Sequence, residues 1–225
     1  MVNTDKILNN LGGTFRVKKF ILLLGSAALF LSACSNAESE LNDFYDEFTG
    51  SLGEEQGLAE LNEQYNELEG TKAALQEELN NADIEEINGI SEELQTNTEE
   101  RLELLEEERA LIVDSNEAFE DAREAAADIS NEEYKKEADS LVSAMNARFE
   151  AHETMTDTYT EALEAEQKLF EYLGEEEITQ DAVDEHLNKI AEYSEPINKA
   201  SESFAAETEK INQLKGEIEQ ILENN

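Results

Sequence analysis

The sequence predicts an all-α protein: an elongated antiparallel up-down four-helix bundle with left-handed coiled-coil-like packing. Three observations carry that reading. Apolar residues recur at alternating spacings of three and four along nearly the whole chain beyond Glu38, the period of a helix with one buried face. Tryptophan is absent, Pro196 is the single proline and glycine is scarce, a composition of long helices rather than sheets. Short turn signals divide the chain into four segments, each about 65 Å long at 1.5 Å per residue. Connections that short make neighbouring helices antiparallel. With 56 acidic and 16 basic side chains, disorder is the competing reading, and the sustained apolar period argues against it.

Lys18 and Lys19 precede the apolar run Phe20–Ala33, FILLLGSAALFLSA. This run falls short of the about 20 residues that a spanning helix needs; with its basic flank it reads as a secretory signal, and translation beginning near Val17 would suit the lysines. The run ends Leu31-Ser32-Ala33-Cys34, which resembles the lipobox of bacterial lipoproteins. That resemblance implies cleavage between Ala33 and Cys34, acylation of the Cys34 thiol, and a mature chain held in membrane lipid. Cys34 is the single cysteine, so no internal disulfide can form. Two acyl chains suffice for stable anchoring. The expected organisation is residues 1–33 as a removed signal peptide, 34–57 as lipid anchor, short helix and glycine-rich break, and 58–225 as the long helical bundle domain.

Leu41, Phe44, Tyr45 and Phe48 share one face of a short first helix, after which Gly50, Gly53 and Gly57 interrupt. Leu58, Leu61, Tyr65, Leu68, Lys72, Leu75 and Leu79 then form a coiled-coil-like seam with Lys72 as its polar exception. Asn80–Asp83 reads as a turn, with Asp83 capping the next helix. That helix runs to about Ala127 and carries Leu94, Arg101, Leu105, Ile112 and Phe119 on its seam. Ser130 and Glu133 stand in capping-box order and open a third helix, through Met145, Phe149, His152, Tyr159 and Leu169 to Leu173, ended by Gly174. Thr179 is a suitable cap for the last helix, in which Val183, Ile190, Ile197, Phe204, Ile211 and Ile218 recur every seven residues. A seven-residue period implies a left-handed supercoil. Because that phase holds across Pro196, the proline is expected to kink this helix rather than break it.

A formal net charge of −40 excludes nucleic-acid binding, which needs clustered Lys and Arg, and disfavours attraction to anionic lipid. Two readings of the charge stay open: adaptation to salt or pH, in which screening shortens repulsion, and an acidic functional surface. No catalytic residue is predicted. There is no Glu-x-x-His pair, His-Glu-x-x-His order, Gly-x-Ser-x-Gly elbow or glycine-rich phosphate loop. His152 lies on an apolar face and reads as a packed histidine, and His186 as a solvated one. Carboxylate pairs on solvated faces lack the cleft and the raised pKa that glycoside hydrolysis requires. No cofactor and no dedicated metal site is expected; the acidic runs could take up divalent cations weakly and unselectively. The polar row Ser194, Ser201, Thr208 and Lys215 could line a groove or meet a partner helix, or could sit at the bundle boundary.

The chain from Cys34 onward resembles the YkyA-type lipoproteins of Gram-positive bacteria, a family named for cell-wall binding. The likeness is strongest over Glu99–Leu173, EERLELLEEERALIV through EAEQKLFEYL. It implies a four-helix bundle attached to the outer face of the plasma membrane, and it supplies no catalytic or binding residues. Gram-positive walls commonly carry anionic polymers, which would repel so acidic a chain unless salt screens the charge or divalent cations bridge it. The expected function is a non-catalytic, lipid-anchored extracytoplasmic module contacting cell-wall polymer or an envelope protein. The alternative is a partner-binding protein or holdase acting on another envelope protein.

Overall fold

The computed structural model describes residues 36–83, 85–175 and 177–224, and every element among them is helical. In chain order these are α1 (Asn36–Ser51), a 3-10 turn (Leu52–Gly57), α2 (Leu58–Asn81), α3 (Ile87–Asp128), α4 (Glu132–Leu173), α5 (Gln180–Ala191) and α6 (Ser194–Asn224). No strand occurs among the described residues. The predicted cleavage and lipidation residues Ala33 and Cys34, and the leader before them, lie outside the described residues.

The helices group into two compact units. One comprises Glu60–Glu108 and Thr154–Lys199; the other comprises the described part of Lys19–Ala59 with Arg109–Glu153 and Ala200–Asn225. Each unit is a bundle of four helical stretches. In the first, α2, the N-terminal half of α3, the C-terminal half of α4, and α5 surround Leu79, Leu94, Leu169, Phe170, Val183 and Leu187. Antiparallel packing of α3 on α4 follows from their cross-contacts: Ser91 donates to the Phe170 carbonyl, while further along Arg101 reaches Glu166. In the second unit, α1, the rest of α3 and α4, and α6 bury Phe44, Phe48, Phe119, Met145, Ile211 and Ile218. The rings of Phe48 and Phe119 meet edge to face at 6.4 Å, and those of Phe119 and Phe149 at 5.9 Å, geometries that suit the aromatic quadrupole. The seam predicted for the first short helix is therefore core: Leu41, Phe44 and Phe48 have no exposed surface.

The structure refines three local expectations. Gly50, Gly53 and Gly57 accompany an interruption of the α-helix, as expected, and the chain there tightens into the 3-10 turn Leu52–Gly57, which carries Glu55 inward. A Cβ at Gly57 would lie 2.9 Å from Leu111 Cδ1, so the end of that leucine would have to shift. Secondly, the cap of α4 is Asn131, not Ser130. The Asn131 Oδ1 accepts from the N–H groups of Glu133 and Tyr134 at 2.9 and 3.1 Å, while the Ser130 N–H and hydroxyl both donate to Glu40 at 2.7 Å. Those two bonds hold the Glu40 carboxyl below its usual range. At the preceding turn the Asp83 N–H donates to Glu86 Oε2 at 3.0 Å, but α3 begins at Ile87, so Asp83 stands in the turn and not at the expected cap position.

Thirdly, Pro196 does not kink a continuous helix. The chain leaves α5 at Ala191, turns through Glu192 and Tyr193, and starts α6 at Ser194. Pro196 thus occupies the first turn of α6, where its missing N–H leaves no helical bond unmade. Glu192 keeps right-handed helical angles, φ −60° and ψ −28°, which is why the seven-residue phase survives the interruption. The Thr179 cap is as expected, its hydroxyl accepting from the Ala182 N–H at 3.4 Å.

Replacing Asn131 by Ala should cost about 1 kcal/mol of stability, the usual worth of a side-chain cap. Ser130→Ala, which removes only an exposed bond, should cost less. Urea unfolding of the two variants measures the difference, and equal losses would restore Ser130 as the cap.

Candidate functional site

Charge is concentrated inside each unit at one carboxylate. In the first unit that carboxylate is Glu166 on α4. Lys72 on α2 donates to its Oε1 at 2.5 Å, and Arg101 on α3 donates to its Oε2 at 2.5 Å. Arg101 also reaches Glu69 at 2.6 Å and the Thr98 hydroxyl at 3.1 Å. Lys72, Arg101 and Glu166 are 7%, 1% and 4% exposed. Burial alone would raise the Glu166 pKa, but Lys72 and Arg101 outweigh it and hold the carboxyl below its usual range. Burial would likewise lower the Arg101 pKa, and Glu166 reverses the shift. Beside this cluster the rings of Tyr65 and Tyr159 lie 5.7 Å apart, and burial first of all pushes both phenols up, so they stay protonated.

In the second unit the carboxylate is Glu55, delivered by the 3-10 turn. Arg148 on α4 grips it with both terminal nitrogens, at 2.7 and 2.6 Å, the fork geometry that makes Arg–carboxylate pairs strong. The Ser115 hydroxyl donates to the same carboxylate at 2.9 Å, and Arg148 Nε donates to Thr208 Oγ1 at 3.2 Å. Phe204 takes the guanidinium on its ring at 4.8 Å, and the His152 ring packs on the same phenylalanine at 5.4 Å. Nearer the start of α1, Tyr45 donates to Glu219, and burial followed by that carboxylate pushes the phenol up.

These clusters account for several residues singled out in the sequence. Lys72 and Arg101, polar positions on otherwise apolar seams, converge on one carboxylate. His152 is packed, at 2% exposure; His186 is half-buried and stacks on Tyr172 at 5.4 Å. The polar row on α6 is put to internal use: Thr208 serves Arg148, and Lys215 lies 3.7 Å from Glu219. Sequence reasoning missed Glu166, Glu55 and Arg148. The available signal was position: Glu166 stands seven residues after Tyr159 and seven before Leu173, on the buried row, where a carboxylate demands partners.

The chemistry of both sites is closed. A general acid needs a carboxyl whose pKa is raised toward neutrality, with reach to substrate. Glu166 is shifted the other way, and the oxygens of Glu166 and Glu55 already accept from cationic donors. Among the described residues no group of three or more His, Cys, Asp and Glu is placed to hold a metal ion. A shallow cleft of about 530 Å³ in the second unit is lined by Lys135, Lys136 and Lys210. Lys135 donates to the Ala126 and Ala127 carbonyls at the end of α3. Lys136 and Lys210 pair with Glu137 and Glu207, and Glu132 and Asp139 share the lining. The cleft is therefore no anion site. Val113 is the large apolar side chain left exposed among the described residues, while Leu102, Leu104, Leu111 and Val142 are half-buried.

Fold and sites together define an acidic helical-bundle protein whose buried ions hold helices rather than substrate. The chain belongs to the YkyA family, described as "Putative cell-wall binding lipoprotein", which matches residues 39–221. It is 27% identical over 194 residues to "Uncharacterized lipoprotein YkyA" of Bacillus subtilis (strain 168), covering 85% of this chain and 86% of that one. Its fold is also that of a conserved Staphylococcus aureus protein of unknown function, known from a crystal structure. The TM-score is 0.75 at 21% identity, over 85% of this chain and 98% of the other. The all-α bundle expected from periodicity is thereby supported by both the helices and their relatives.

Glu166→Gln should destabilise the protein by about 3–5 kcal/mol at neutral pH, because Lys72 and Arg101 would stay buried without their counter-ion. The Glu166 pKa is depressed in the folded state, so its contribution is full above about pH 4.3 and is lost as pH falls through the lower folded value. The gap between wild type and variant, measured by urea unfolding, should narrow on acidification below that point. A gap that stays constant down to pH 2 would show that Glu166 is not ionised in the folded state.

Proposed function

We propose that this protein is a non-catalytic lipoprotein, anchored outside the plasma membrane through acylated Cys34, whose polar helical surface contacts cell-wall polymer or an envelope protein. The observation that carries the reading is the closed state of both buried charge clusters: the carboxylates best placed to do chemistry are committed to Arg148 and to Lys72 with Arg101. Membership of a lipoprotein family supports the anchor, and no helix among the described residues is long and apolar enough to cross a membrane. Lipid attachment at Cys34 would then be what retains the chain at the envelope.

The exposed surface argues for polar contact over the holdase alternative. Holdases capture apolar segments, and the described surface exposes few large apolar side chains, Val113 most openly. Contact with anionic wall polymer must overcome a formal charge of −40, by salt screening or by divalent cations bridging carboxylate to polymer. Weak, unselective cation uptake by the solvated acidic faces is part of this reading.

Two measurements test it. The native protein should label with palmitate and partition into the detergent phase, and Cys34→Ser should lose both properties; retention of both by the variant would remove the anchor. Isolated sacculi should retain the Cys34→Ser chain in high salt or with Mg²⁺ and release it in low salt without divalent ions. Absence of retention under every condition would exclude direct wall contact and leave an envelope protein as the partner.

A further inference from the structure

We propose that the buried ion cluster of the first unit is a register lock, which selects one alignment among helices that a seven-residue repeat would otherwise let slide. An apolar seam repeating every seven residues is nearly self-similar under a shift of one heptad. The cluster breaks that similarity on three helices at once. Along their buried rows the order is Tyr65-Lys72-Leu79 on α2, Leu94 then Arg101 on α3, and Tyr159-Glu166-Leu173 on α4, each step being seven residues. In the observed alignment Glu166 meets Lys72 and Arg101, both at 2.5 Å. Sliding α4 by one heptad in either direction would set Tyr159 or Leu173 against those cations. Glu166 would then lie in the core without a counter-ion, and Lys72 and Arg101 would keep only the part-exposed Glu69, a far larger penalty than an apolar mismatch.

Such a lock differs in kind from a stabilising contact. A buried ion pair gains little over well-packed apolar side chains of similar volume, and its best-attested use is to fix register. Burial also shields it from salt. The exposed pairs Lys189–Glu192 and Lys210–Glu207 are screened when ions are added, whereas the Glu166 cluster is not. Register would therefore hold across the range of ionic strength that an acidic surface invites. The second unit uses the same device, with Arg148 on α4 gripping Glu55 on the 3-10 turn.

Cross-linking of paired cysteines with a short bismaleimide, in the full chain carrying Cys34→Ser, tests the lock in the first unit. Gln167 on α4 donates to Glu99 on α3 at 3.1 Å, so cysteines at 99 and 167, bridged by a linker that makes up the reach of those two side chains, report the observed register. Cysteines at 92 or 106, each with 167, report a slip of one heptad. With the lock intact, the linker should join 99 to 167 and leave both slipped pairs at background, in low and high salt alike. In a Lys72→Met, Arg101→Leu, Glu166→Leu background the helical circular dichroism and the thermal midpoint should be kept or raised. The slipped pairs should then rise from background to about a tenth of the total, as expected for a competing state brought within reach. Trapping solely at 99–167 in that background would overturn the proposal. So would slipped pairs forming with the lock intact, or loss of helix in the triple variant, which would make the ions indispensable to stability instead of register.

Discussion

A carboxylate removed from water must find its charge again inside the protein, and in each unit that requirement governs how the helices meet. Glu166 draws a cation from α2 and another from α3; Glu55 draws Arg148 from α4 and a hydroxyl from α3. Leucine seams would accept several alignments and several rotations, since apolar attraction has no direction. Hydrogen bonds of 2.5–2.9 Å from charged or hydroxyl donors do not. The 3-10 turn, the inward Arg148 and the ring of Phe204 beneath it make sense as one arrangement that brings a carboxylate to its fork.

The same allocation shapes the surface. Lysine and arginine are few in this chain, and Lys72, Arg101 and Arg148 are spent inside. Glu55 and Glu166 are buried with them, so the exterior keeps nearly the whole net negative charge. Lys135 is drawn off to the carbonyls that end α3, and Arg123 is held by Asn116, Asn146 and Glu120 over the Phe119 ring. Mutual repulsion among the remaining carboxylates weakens a compact state, and it does so least where ions are concentrated. Large apolar side chains are largely kept from that surface, Val113 being the exposed one among the described residues.

Periodicity made most of the fold legible. Most residues on the predicted seams, from Leu41 through Phe119 and Met145 to Ile218, are core, with Leu58, Leu68 and Phe204 half-buried, because helix period and burial are one constraint seen twice. The misses fall where a local interaction outcompetes the pattern. Ser130 has the chemistry of a cap, yet Glu40, ninety positions away in sequence, claims both its donors, and Asn131 caps instead. Pro196 preserves the heptad phase, which reads as continuity, while the chain turns at Glu192 and Tyr193 to place the proline where its missing N–H is harmless. Glu166 was passed over because a search for apolar residues steps across a charged one. Its partners Lys72 and Arg101 were visible as exceptions, but which carboxylate they shared depends on packing that no single helix records.

Exceptions of that sort carry the information in a repetitive sequence. Where Leu, Ala and Glu recur over some forty residues of α3 and of α4, most solvated positions could be exchanged with those a heptad away at little cost. Lys72, Arg101, Glu166, Glu55 and Arg148 could not, since each would leave a buried charge behind. The chain's few inward charges pair with one another across helices and answer to folding. Its many outward ones answer to the ionic medium and to whatever polar surface the chain meets. That division explains how a surface can follow its medium while the bundle beneath it keeps one arrangement: the groups that respond to salt and the groups that fix the helices are different residues, separated by the apolar layer between them.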